Sequence, residues 1–166
     1  DWIDERITDE KEEIRFKRFD EVAAKLNRKD KFLLIQGEEI SDKFDNYSIH
    51  LNASNLVEMI PPMGGSSVSE AIQNNVDALI AQRERTGRRM MIHLNHPNFG
   101  YGITAEDLAP IRGENFFEVY NGHPSVQNAG DSTHPSTDRI WDIINSLRLT
   151  EYDLPLLYGL ACDDSH

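Results

Sequence analysis

The chain has 166 residues, 39% of them hydrophobic and 28% charged, the length and balance of one soluble globular domain with a real core. A formal net charge of −12 argues against broad binding of nucleic acid or of an anionic membrane, though not against a small phosphorylated substrate, because bound cations would reverse the local field. The single cysteine, Cys162, excludes an intrachain disulfide, and no apolar run approaches membrane-spanning length.

Residues 9–27 carry Ile14, Phe16, Phe19, Val22, Ala23 and Leu26 at a spacing that predicts an amphipathic helix. A strand is expected over residues 31–40, a polar loop over 42–47, and a short strand through Ser48, Ile49, His50 and Leu51. After the Pro61-Pro62 breaker, Ser67-Val68-Ser69-Glu70 has the form of a capping box. Val68, Ile72, Val76 and Leu79 then keep helical spacing as far as Gly87, a suitable residue to end the helix. Residues 88–95 read as the next strand and 96–102 as a loop. Thr104 caps a short helix through Leu108, and 116–120 is another strand. A long polar loop covers 122–136, and loops of that length are often functional. Thr137 caps a helix bearing Ile140, Trp141, Ile144 and Leu147, and 156–161 is the last strand. Strand–helix alternation predicts an α/β fold with a parallel sheet or barrel. About five strands, against eight in a full barrel, make a partial barrel the expectation.

The chemistry-bearing residues gather where these strands end. Glu38 and Glu39 close the 31–40 strand, His50 the next, His96 the 88–95 strand, and Asp164 and His166 follow the last. Three of the six histidines fall at such ends. Imidazole and carboxylate are ligands that zinc, manganese and iron accept, and they leave positions open for water. With two ions, water can bridge them as hydroxide and the leaving oxygen can be stabilised as well.

In order along the chain, Gly37-Glu38-Glu39-Ile40, the His50 strand, Asn95-His96-Pro97, Phe117-Glu118-Val119-Tyr120-Asn121 and Asp163-Asp164-Ser165-His166 resemble successive motifs of the polymerase and histidinol phosphatase (PHP) superfamily, most of all its carbaryl-hydrolase-like branch. The resemblance covers residues 31–166. It implies a distorted (β/α)7 TIM-like barrel holding two or three divalent ions of zinc, manganese or iron. By position, Glu39 would be the bridging carboxylate, with His50, His96, Asp164 and His166 as further metal ligands. Family members also carry a His-x-His on the first strand, which has no counterpart upstream of Glu39. The chain is therefore expected to be a single PHP-like domain truncated at both ends, with a partial barrel and weakened activity.

The remaining residues are less determined. Glu38 and Glu39 point to opposite faces of a regular strand, and the family's Gly-x-Glu pattern selects Glu39. Glu118 is a candidate catalytic residue that orients a ligand or substrate, or a buried acid paired with a helix. His123 is a candidate acid or phosphate donor reaching over the site. His93, three residues before His96, is expected on the other face as a packed, hydrogen-bonded histidine, and His134 on an exposed loop. The leading functional expectation is a metal-dependent hydrolase of phosphoesterase type, with a metal-bridging hydroxide as nucleophile and a small phosphate ester or related ester as substrate. The alternatives are a non-catalytic metal-binding or structural PHP module, or an exonuclease-type PHP domain. The charge and the lack of interleaved basic and aromatic residues count against long nucleic acid. Oligomeric state and compartment, cytoplasmic or exported, stay open.

Overall fold

Cross-strand pairing decides the start of the chain, not helical spacing. The computed structural model describes residues 3–8 and 11–165. It divides into two units, residues 1–36 and 37–166. In the first unit, strands β1 (Ile3–Ile7) and β2 (Glu12–Phe16) form an antiparallel hairpin, and helix α1 covers only Phe19–Leu26. The helix expected over 9–27 is thus strand at Glu12–Phe16 and helix only at Phe19–Leu26. Ile14 and Phe16 are two apart, the period of a strand, and only from Phe19 onward does the spacing suit a helix. The register sets Asp4 opposite Arg15, whose guanidinium bonds the Asp4 carboxylate and also reaches Glu21 at 2.9 Å. Opposite charges directly across a strand pair favour that register.

The second unit is built on a five-stranded mixed sheet in the order β3-β4-β5-β6-β7. Strands β3 (Gly37–Phe44) and β4 (Tyr47–Ser54) are joined by Asp45-Asn46, with Asp45 at φ 52°. Two residues that tolerate positive φ are the usual means of closing a hairpin. The polar stretch 42–47 is therefore a tight turn and strand ends, and β3 begins at Gly37, later than the predicted 31–40 strand. Helix α2 (Val68–Thr86) follows the prediction: the Ser67 hydroxyl accepts the Glu70 N–H at 3.1 Å, and Gly87 ends the helix at φ 67°. Strand β5 (Met91–Leu94) returns antiparallel to β4. Helix α3 (Ala105–Leu108) leads to β6 (Phe116–Asn121), and α4 (Thr137–Leu147) with a π-helical turn (Arg148–Tyr152) leads to β7 (Tyr158–Cys162). Only β5, β6 and β7 run parallel.

This is a small α+β fold and not a partial (β/α)7 TIM-like barrel. Barrel closure would need one continuous parallel ladder meeting itself, whereas the β3–β4 hairpin and the antiparallel β5 break the parallel series, and β3 and β7 stand at opposite edges of an open sheet. Alternating strands and helices do not reveal strand direction, and the Asp45-Asn46 turn reverses it.

The hydrophobic core lies on one face of the sheet. Ile49, Leu51, Leu94 and Phe117 are fully enclosed there with Ala71, Ile72 and Val76 of α2 and Ile144 of α4. Each such large side chain contributes about 1.5–3 kcal/mol. Strand alternation sends Glu39, His50, Asn52 and His93 to the opposite face, where the register makes Glu39, Asn52 and His93 neighbours. Glu38 points to the helix side, where its carboxylate accepts the Ile60 N–H at 2.7 Å. No helix among the described residues is long and apolar enough to cross a membrane.

Beneath this sheet Glu114 is buried. One of its oxygens accepts the Leu94 N–H at 2.6 Å, and the other has no hydrogen-bond partner among the described residues. The neighbouring Arg148 gives its guanidinium to the carbonyls of Ala109, Ile111 and Pro155. Burial outweighs both the Leu94 N–H and Arg148 and pushes the Glu114 carboxyl up to about 8. The raised value means the folded state holds this proton more tightly than the unfolded state. Stability should therefore fall as pH rises from about 4.5 to about 8, by at most on the order of 4–5 kcal/mol. Glu114→Gln, which keeps the acceptor and cannot ionise, should lose less stability over that range. Urea midpoints of both proteins across it check this, and parallel curves would refute it.

Candidate metal centre

Three side chains meet on the open face of the sheet. Glu39 and His50 are set by the β3–β4 register, which pairs Glu39 with Asn52 and Ser41 with His50. His96 lies beyond the end of β5, at φ 25°. A residue before proline ordinarily keeps an extended backbone at negative φ, so Pro97 does not set this geometry, contrary to what X-Pro restriction predicts. The His96 N–H donates to Glu118 Oε2 at 2.5 Å, and its carbonyl accepts the Phe99 N–H at 2.8 Å. One step upstream, the Asn95 N–H donates to the His50 carbonyl at 2.8 Å. A positive φ in a non-glycine residue is costly and persists where surrounding contacts hold it.

The donor atoms form a near-regular triangle. His50 Nδ1 is 3.3 Å from His96 Nε2 and 3.4 Å from Glu39 Oε1, and His96 Nε2 is 3.7 Å from that same oxygen. Tetrahedral donors about 2.0–2.2 Å from a zinc-like ion stand roughly 3.3–3.6 Å apart, so the triangle fits three ligands of one ion. Among the described residues, Glu39, His50 and His96 are the group of metal-type donors drawn this close. The Asn95 amide donates to Glu39 Oε1 at 2.8 Å and so orients the carboxylate. Burial lowers the His50 pKa, with Glu39 opposing, and thereby favours the neutral imidazole that a metal requires.

A cavity of about 170 Å³ opens over the triangle, lined also by Phe99, His123 and Asp164. Asp164 stands beside the triangle at φ 54°, its Oδ2 accepting the Asn121 amide at 3.1 Å. Gly122 lets this turn form: its N–H donates to the Cys162 carbonyl at 2.8 Å, and a Cβ there would come within 2.9 Å of Asp163 Cα. The His123 N–H donates to Asn121 Oδ1 at 2.8 Å, and His123 Nδ1 accepts the Ser125 N–H at 3.1 Å. In the neutral ring the proton therefore sits on Nε2. His166 lies outside the described residues.

Glu118 does not line the cavity. It is 1% exposed and, among the described residues, paired with no helix. Oε2 accepts from His96 N–H and from the Asn121 amide at 3.0 Å, and Oε1 accepts the Cys162 thiol. It orients the His96 backbone. Burial and Glu118 push the Cys162 thiol up to about 12, so it stays a neutral donor and not a thiolate ligand. His93 is packed as expected, but on the Glu39 face, and its Nδ1 has no hydrogen-bond partner among the described residues. His96 has left the strand, so counting three residues back from it does not give the face. Sequence reasoning gave no individual role to Asn95, Asn121 or Phe99. Asn95 and Asn121 sit where β5 and β6 stop, the same placement that singled out the histidines. A hollow of about 520 Å³ in the first unit is lined by residues 27–33 alone, one turn folded on itself.

Compared with family models, curated proteins and solved structures, the chain matches none.

Zinc or manganese at about 100 times its Kd should raise the unfolding free energy by about 2.7 kcal/mol. His50→Ala should abolish that gain while barely moving the metal-free midpoint, because His50 is only half-buried. Differential scanning calorimetry with and without metal measures both, and a gain retained in the variant would remove His50 from the site.

Proposed function

We propose that the protein is a metal-dependent hydrolase of phosphoesterase type, acting on a small phosphate ester or a related ester. The observation that carries this reading is the triangle of Glu39 Oε1, His50 Nδ1 and His96 Nε2 beneath an open cavity. Zinc, manganese or iron bound there would supply an activated water and a Lewis acid for the electrophilic oxygen. Glu39, His50 and His96 would hold that ion, with Asp164 at hand as a further ligand. The resemblance of the strand-end motifs to the PHP superfamily supports the same assignment.

The chain's own groups are compatible with that substrate class. Glu39 and Asp164 make the cavity acidic, so an anionic ester would need a cation to offset them. His123 lines the cavity and can offer its Nε2 proton to a phosphoryl or leaving oxygen. Phe99 walls one side, with its ring 5.3 Å from that of His96, and gives the ester an apolar surface. The net charge of −12 disfavours a long nucleic acid as substrate. A non-catalytic metal-binding role would use the same three donors and leave His123 a purely structural part, as partner of Asn121 and Ser125.

Turnover of p-nitrophenyl phosphate in zinc or manganese tests this. His96→Ala should lower metal content and turnover together, with turnover down by roughly a hundredfold or more, and His123→Ala should lower turnover by roughly a hundredfold with metal content intact. A His96→Ala protein with full metal content and normal turnover but a lower thermal midpoint would overturn the ligand assignment. Turnover unchanged in His123→Ala would remove its proton-donating role.

A further inference from the structure

A second cavity, of about 310 Å³, lies between the loop after β5, residues 133–135 and α4. Its floor is apolar, made by Ile103, Ala105, Ile140 and Ile143. Its rim is polar and already built. The rings of Tyr101 and His134 stack 3.9 Å apart and 6° from parallel. His134 Nδ1 lies 2.9 and 3.0 Å from the two Asp131 oxygens. Asp131 also takes the Thr133 N–H at 2.7 Å and the His134 N–H at 2.8 Å. These contacts, the Thr133 N–H foremost, hold its carboxyl well below the usual carboxylate range. An ionised carboxylate only accepts, so Nδ1 carries a proton, and in the neutral form of the ring Nε2 is left as an acceptor. Asn98, 1% exposed, ties the walls together through its amide, which donates to the carbonyls of Gln127 and Pro135, each at 3.0 Å.

The hydroxyl protons around this rim are committed. Thr104 donates to Asp107 at 2.7 Å, Thr133 to Asp131 at 2.8 Å, and the Tyr101 hydroxyl pairs with Asp131. With His134 in its Nδ1-protonated neutral form, the rim side chains therefore offer a ligand only acceptors: these oxygens, the Glu106 carboxylate and His134 Nε2. We infer that this cavity is a binding site for a small molecule with an apolar body and a hydrogen-bond donor head, a hydroxyl or an ammonium, seated on the isoleucine floor with its head toward His134. An acceptor-only anion of the same size would meet a rim with nothing to donate, in a protein of net charge −12. The volume is that of a small-ligand pocket. The inference does not depend on the metal reading, since none of the triangle's residues takes part.

The test is an NMR titration of the His134 ring resonances with p-cresol, benzylamine and benzoate, on the protein without added metal. Saturable shifts with p-cresol or benzylamine, and none with benzoate, are the expected result; which of the two binds identifies the donor as hydroxyl or ammonium. Ile143→Trp, which fills the floor and leaves the rim intact, should abolish the shifts. His134→Ala, followed through the Ile103 and Ile140 methyl resonances, should weaken binding roughly tenfold. Unchanged resonances of β3, β4 and β5 show that each variant is folded. Benzoate binding as tightly as p-cresol, no saturable shift with either donor, or shifts that survive Ile143→Trp would each overturn the proposal.

Discussion

One buried carboxylate sits where three strands end. Glu118, on β6, takes the backbone N–H of His96 beyond β5, the amide of Asn121 at the end of its own strand and the thiol of Cys162 on β7. Asn121 passes the linkage on to Asp164. A carboxylate shielded from water forms strong, directional bonds, and losing one donor would leave a costly vacancy. The position of His96 and that of Asp164 therefore share one anchor, although they lie in different connections. The sheet provides the platform and Glu118 sets the angles.

The helix-covered face supplies the complementary rigidity. Ile49 and Leu51 alternate along β4 with His50 and Asn52, so the residues that fill the core also aim the donors away from it. Slipping the β3–β4 register by one residue would expose Ile49 and Leu51 and bury His50. Core packing thus enforces the arrangement of the site, and the open face costs the fold little because the apolar surface lies on the other side.

Much of the candidate site is legible in the sequence. Glu39, His50, His96 and Asp164 stand out as acids and imidazoles at the ends of apolar runs, and all four line one cavity. Capping chemistry likewise gave α2 from Ser67 to Gly87. Strand direction was hidden. Asp45-Asn46 looks like part of a loop, yet it is a two-residue turn, and that one turn makes β3 and β4 antiparallel and excludes the barrel. The β1–β2 hairpin was hidden because charged residues with scattered apolar ones suit either period until the Asp4–Arg15 pair is known. The role of Glu118 could not be read either, because its main partner is a backbone N–H 22 residues earlier in the chain.

The spacing of the three donors along the chain also has a bearing on the order of folding. Glu39 and His50 belong to one hairpin, so a local event brings them together, whereas His96 is 46 residues beyond His50 and arrives only when β5 docks. Local closures precede distant ones because loop closure costs less over short separations. A two-donor half-site is thus expected to form before the sheet is complete, and if the proposed ion binds there, it would be held weakly until the third donor closes over it. In stopped-flow refolding this would appear as metal accelerating the docking of β5 without altering hairpin formation, and identical refolding rates with and without zinc would argue that all three donors assemble together.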